Sequence, residues 1–153
     1  MAVISSREHK QPKLPRCQRL WLAALGSGLL AMLILAGLLR PDCRGYGTHQ
    51  QLGLPACTFN RVFGYRCPSC GMTTSWAHLV RGRVIRAVRA NAGGTLLGVI
   101  AMIAGPWALV SGCYGRWVVR LPSQWTAVTL AIAIVLITLI DWSIRLYWIW
   151  QNV

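Results

Sequence analysis

Three apolar runs dominate this chain and leave little freedom in what it can fold into. Residues 20–39 form twenty consecutive positions without a charge, residues 91–113 are nearly as pure, and residues 125–140 continue past Asp141 into a tail rich in aromatics that ends at Trp150. The hydrocarbon core of a bilayer is crossed by about 20 helical residues, each rising about 1.5 Å. Inside lipid the backbone must satisfy its own hydrogen bonds, which favours helix. A soluble domain of 153 residues has no need of three such stretches. The expected fold is an all-α membrane protein with three transmembrane helices, plus a short amphipathic interfacial helical segment that follows a cysteine-rich loop.

The organisation along the chain follows from these runs. Residues 1–19 form a basic N-terminal tail, 20–39 the first span, and 40–90 a loop with the cysteine motif and amphipathic helices. Residues 91–113 form the second span, 114–124 a short basic loop, and 125–149 the third span. Arg7, Lys10, Lys13, Arg16 and Arg19 before an apolar run resemble a signal peptide, but the run is longer than a signal's core and no small-x-small cleavage site follows it. An uncleaved anchor is expected.

The net charge of +13 arises from 16 Lys and Arg against Glu8, Asp42 and Asp141. Such an imbalance can signal nucleic-acid binding. Here the basic residues flank the spans, where anionic lipid headgroups lie, so the lipid bilayer is the expected partner and nucleic acid is not. Orientation is contested. The five basic residues before the first span place the N-terminus in the cytoplasm, whereas Arg81, Arg83, Arg86 and Arg89 before the second span pull the large loop to that same side. Because the first span usually dominates, the expected arrangement in the cell membrane is N-terminus inside, large loop outside and C-terminus outside.

Within the large loop, the first half (Gly45, Gly47, Gly53, Pro55, Gly64) reads as irregular turns. From Thr73 to Val80 the spacing becomes helical, with Thr73 or Thr74 as N-cap. After Gly82, residues 83–90 carry Val84, Ala87 and Val88 on one side and Arg83, Arg86 and Arg89 on another, as in an interfacial helix. In the second span, Gly94 and Gly98 permit close helix approach, and Pro106 removes a backbone donor.

The chemistry concentrates in Cys57 and in Cys67-Pro68-Ser69-Cys70-Gly71-Met72-Thr73-Thr74. Two cysteines separated by two residues suit a zinc knuckle, in which a tight turn aims both thiolates at one metal and Gly71 supplies the turn's backbone freedom. The same spacing suits a thiol–disulfide pair, with a helix N-terminus favouring the thiolate of Cys67 or Cys70. Structural zinc takes four ligands. Cys57, Cys67 and Cys70 supply three, and His78 is the candidate fourth, although five helical residues from Thr73 carry it about 7.5 Å along the axis. Cys43 or His49 are substitutes. A structural disulfide from Cys57 to Cys43, or to one of the motif cysteines, is the plainer alternative. Cys17 and Cys113 need no role beyond packing.

The run CPSCGMTTSWAHLVRGRVIRAVRAN, with Cys57 before it and a span after it, resembles a family of small bacterial membrane proteins classed as a domain of unknown function, with a Cys-Pro-x-Cys-Gly-x-Thr core. The likeness extends from about Leu54 to Gly115. Members commonly carry Arg after the motif's threonine, where this chain has Thr74; their Gly and Asn before the span correspond to Gly82 and Asn91. The resemblance implies a bacterial membrane protein and no particular activity.

Asp141 and Arg145, four residues apart, form an acid–base pair on one helix face. Trp142, Tyr147, Trp148 and Trp150 beside them mark an interface, so Asp141 is expected at the membrane surface rather than deep within it. Nothing in the sequence resembles paired catalytic carboxylates, a Ser-His-Asp set or a phosphate-cradling glycine loop. The expected function is therefore a non-enzymatic membrane component whose loop, held by metal or disulfide, contacts a membrane protein partner or a second copy of the chain. A membrane thiol–disulfide oxidoreductase using Cys67 and Cys70 is the alternative, and a transporter a weaker third.

Overall fold

The computed structural model describes residues 13–119 and 123–151. Arg7 and Lys10 of the basic tail and Arg120 of the second loop lie outside the described residues. The described part is helical: α1 Arg16–Leu38, α2 Thr58–Phe63, α3 Met72–Leu79, α4 Val84–Ala90, α5 Ala92–Tyr114 and α6 Gln124–Gln151, with a 3₁₀ turn at Thr48–Leu52. Three of these, α1, α5 and α6, are long and apolar enough to cross a membrane, as in a multi-pass membrane protein.

Each long helix ends for a local reason. Helix α1 stops at Leu38, with Leu39 already extended, just ahead of Pro41, which disfavours helical backbone at Arg40. Helices α4 and α5 would form one continuous rod but for Asn91, whose φ of −166° breaks the run. The first half of the large loop departs from the expectation of irregular turns, since it contains the 3₁₀ turn and α2. Segments of five and six residues are too short for an apolar period to appear in sequence.

Helices α1 and α5 lie side by side in opposite directions. Their backbones meet at glycines: a β-carbon on Gly26 would fall 2.5 Å from the Leu109 nitrogen and 2.8 Å from the Gly105 oxygen, and one on Gly112 would fall 2.8 Å from the Ala23 nitrogen. Two arginines finish these helices by taking their terminal carbonyls, which have no partner within the helix. Arg19 donates to Gly112 O and Cys113 O at 3.2 and 3.0 Å. At the opposite end Arg81, in the turn after α3, donates to Gly37 O at 2.8 Å and Leu39 O at 2.7 Å, and to Ala77 O of α3 at 2.6 Å.

Helix α3 fills the space between the loop and the spans. Gly94 and Gly98 do mark a close approach, but what they admit is α3 rather than another span. A β-carbon on Gly94 would fall 2.8 Å from Ser75 Oγ, and one on Gly98 2.8 Å from the Leu79 side chain. Trp76 lies between, with its Nε1 donating to Gly94 O at 2.8 Å, and packs with Leu33, Ala36 and Ala101 as a small apolar core. The cysteine loop therefore rests on the ends of α1 and α5. The C-terminal turns of α6 lie on the same side, because Thr138 abuts Gly93 and Asp141 reaches Ala92.

Candidate functional site

The CPSC segment forms a tight turn closed by Cys70 N donating to Cys67 O at 3.0 Å and Met72 N donating to Ser69 O at 3.1 Å. Gly71 then adopts φ +91° and starts α3, a conformation that costs a β-carbon-bearing residue about 1–2 kcal/mol. Its surroundings are as demanding as its dihedral. A β-carbon there would strike the Ala90 carbonyl and fall 2.7 Å from the Gly45 oxygen. Thr73 and Thr74 do not cap α3 as expected, because the left-handed Gly71 begins the helix without a side-chain cap. Thr74 is instead fully buried and bonds Thr48 Oγ1 at 2.7 Å, and Thr48 Oγ1 accepts from Asp42 N at 3.1 Å. The start of the loop is thereby tied to α3.

Asn91 holds the turn from below. Its Oδ1 caps α5 by accepting from Gly94 N at 2.6 Å, while its Nδ2 donates to Pro68 O at 2.9 Å and Cys70 O at 3.1 Å. The side chain is completely buried with its bonds made, as a buried amide must be. Helix α6 grips the same turn. Arg145 pairs with Asp141 and donates to Cys70 O at 3.4 Å, Asp141 accepts from Ala92 N at 3.3 Å, and Trp142 Nε1 donates to Arg66 O at 2.7 Å.

Held this way, Cys57, Cys67 and Cys70 bring their sulfurs within 4.8 Å of one another. Cys67 Sγ stands 3.1 Å from Cys70 Sγ and 3.6 Å from Cys57 Sγ. Two thiolates bound at about 2.3 Å to a tetrahedral zinc stand roughly 3.8 Å apart, so the three-sulfur set fits such an ion. All six cysteines are free thiols here. Burial opposes ionisation of Cys67, but its hydrogen bonds with Ser69, Cys70 and Cys57 outweigh it and hold the thiol below its ordinary value. Burial, followed by the hydrogen bond with Cys67, pushes Cys70 up to about 12. The sulfurs open onto a cavity of about 420 Å³ that His49, Arg61, Thr73 and Thr74 also line.

His78 does not join them. It lines a different cavity, with Arg83, Arg86 and Arg89, because its position on α3 turns it toward α4 rather than back to the motif. Burial, then the charges of Arg86, Arg83 and Arg81, hold its imidazole below its ordinary value. Cys43 lines that second cavity as well. His49 is the histidine on the sulfur side, with Nε2 3.3 Å from Pro55 O. Asp141 and Arg145 are half-buried beside the start of α5, and they act on the site through the Cys70 carbonyl.

Sequence reasoning did not find the roles of Asn91, Arg81, Thr48 and Trp142. Only Asn91 carried a usable signal, as a strong N-cap residue standing directly before an apolar run. The other three act through long-range contacts that no local pattern encodes.

Residues 57–105 match the protein family described as "Protein of unknown function (DUF2752)". The match takes in all three clustered cysteines, Asn91 and the glycine-lined part of α5. No curated protein and no solved structure matches the chain.

Proposed function

We propose that this chain is a non-enzymatic membrane component whose loop, residues 40–90, is organised by a metal ion on Cys57, Cys67 and Cys70 and presents a docking surface to a membrane partner. The observation that carries the reading is the convergence of three sulfurs from two separate parts of the loop. Zinc matches this donor set. When bound it would supply a cross-link between α2 and the CPSC turn, and the three cysteines would act as thiolates. His49 and the open cavity stand on the side where a fourth ligand or water would enter. We place the chain in a bacterial inner membrane with its N-terminus inside and its loop outside, on the strength of the basic residues before α1.

The test is metal analysis on the full chain purified without oxygen in detergent. The reading expects about one zinc per chain, lost together on Cys57→Ser, Cys67→Ser or Cys70→Ser, since three ligands of one ion act as a unit. Absence of metal from protein with all thiols reduced would overturn it.

One observation favours a second reading. Cys67 and Cys70 are the closest sulfur pair, at 3.1 Å, and face a cavity large enough for a peptide thiol. As an oxidoreductase the pair would transfer two electrons and two protons to a substrate disulfide, forming a Cys67–Cys70 bond and releasing two thiols. That reading expects Cys57→Ser to leave electron transfer in place, whereas the metal reading expects all three variants to fail alike.

A further inference from the structure

The second cavity, about 480 Å³, lies between the end of α1 and the start of α5, with α4 along one wall and Arg44, Arg66, His78, Arg83, Arg86 and Arg89 in its lining. Its lining includes one carboxylate, Asp42, which Arg44 already engages at 2.7 Å. Arg66 is placed by a bond to Arg44 O at 3.1 Å and by Tyr46, whose ring centre is 4.1 Å from its guanidinium carbon. The guanidinium groups of Arg83, Arg86 and Arg89 make no hydrogen bond or ion pair among the described residues. His78 also lines the cavity, and its Nδ1 is buried without a hydrogen-bond partner among the described residues. Cations gathered in a concavity repel one another and focus a positive potential, which an anion relieves.

We propose that this cavity binds a phosphate-bearing anion, gripped by Arg83, Arg86 and Arg89, with Arg66 and His78 completing the donor set. Guanidinium forks match phosphate oxygens two at a time, which lysine ammoniums cannot do, and every cation in this lining is an arginine. The position selects the class of ligand further. Pro41 and Asp42 lie three and four residues past the end of α1 and Ala90 lies two before α5, so the cavity lies where two spans leave the hydrocarbon and where headgroup phosphates are found. Helix α4 also exposes Val84, Ile85 and Val88, with Ile85 at 70%, an apolar flank suited to the acyl boundary. The same chemistry could be met by a soluble phosphate compound, and the experiment separates the two sources.

The test is arginine modification by phenylglyoxal on the full chain in neutral detergent, read residue by residue by mass spectrometry. Phosphatidylglycerol in mixed micelles is expected to slow modification of Arg83, Arg86 and Arg89 while leaving Arg16 and Arg116, at the other end of the bundle, unaffected. Protection by millimolar inorganic phosphate without protection by phosphatidylglycerol would keep the site and assign it to a soluble ligand. Protection by neither overturns the proposal. A variant carrying R83Q, R86Q and R89Q is expected to retain phosphatidylglycerol through purification about tenfold less well, as loss of these charge-assisted bonds implies. Its helical content and metal content should be unchanged, because these exposed side chains make no hydrogen bond or ion pair among the described residues. Where phosphatidylglycerol protects the parent, equal retention by the variant overturns the proposal as well.

Discussion

Helices α1 and α6 both pack on α5, but by different means. The α1–α5 contact runs the length of the pair through Gly26, Gly105 and Gly112, with an arginine finishing each helix. The apolar window of α6 has no buried residue, against 33% in α5. Among the described residues, the polar bonds from α6 to the rest come from Asp141, Trp142 and Arg145, acting on the start of α5 and on the cysteine turn. Lipid offers no hydrophobic drive between helices, so close backbone approach and polar bonds must supply the association. The first pair uses both along its length, whereas the second has one close approach, Gly93 against Thr138, beside its polar bonds. Helices α1, α3 and α5 with the loop therefore form one cooperative unit, and α6 is an attached arm whose apolar window is exposed among the described residues.

The sharpest way to break that picture is to damage the unit at its most constrained point. Gly71→Ala combines a left-handed backbone with a collision against two carbonyls, so it is expected to cost about 2–5 kcal/mol. Thermal unfolding in detergent should shift strongly and the sulfur cluster should lose metal with it. A variant that melts like the parent would mean that the loop and helices are not one unit.

Asn91→Ala follows in size. It removes an N-cap and leaves the Pro68 carbonyl without its Asn91 donor, an expected loss of about 2–4 kcal/mol. Asn91→Asp is the informative companion. It preserves the cap to Gly94 N but turns an acceptor toward the Pro68 and Cys70 carbonyls. If Asn91→Asp melted like the parent while Asn91→Ala did not, the cap alone would account for the effect. A lower value for Asn91→Asp would establish that the clasp on the CPSC turn is what ties the motif to the second span.

These two positions also indicate how much the sequence made legible. The three spans follow from run length and the lipid's demand for satisfied backbone, so they needed no tertiary information. The short helix after the motif was equally local, because Arg83, Arg86 and Arg89 repeat at helical spacing. The cysteine cluster was legible as a set, since spacing alone brings Cys67 and Cys70 together, whereas Cys57 had to be assumed. His78 was misplaced because distance along a helix does not reveal which neighbour will pack on its face. Helix α4 folds back on that face and brings three arginines to it. Gly94 and Gly98 were legible as a close approach but not as the seat of α3, since small residues specify that something fits and not what fits. Thr74 looked like a cap and is a buried partner of Thr48, a contact across 26 positions that no periodicity carries.

The smallest expected effect tests the other side of the comparison. Removing the α6 tether with Asp141→Asn, Arg145→Gln and the double variant forms a cycle in which the pair's coupling is isolated. Polar bonds between membrane helices average about 0.6 kcal/mol in such cycles, so the coupling should stay below about 1 kcal/mol. Metal content should not change, because Asn91 still holds the Cys70 carbonyl after Arg145 is lost. Trp142 is the reporter: its indole bond to Arg66 O depends on α6 staying docked, so its emission should move when the tether fails while the melting of the unit does not. A coupling as large as the Asn91→Ala effect would instead make α6 a full member of the core, and its open flank would then have to be explained by something other than a loosely held arm.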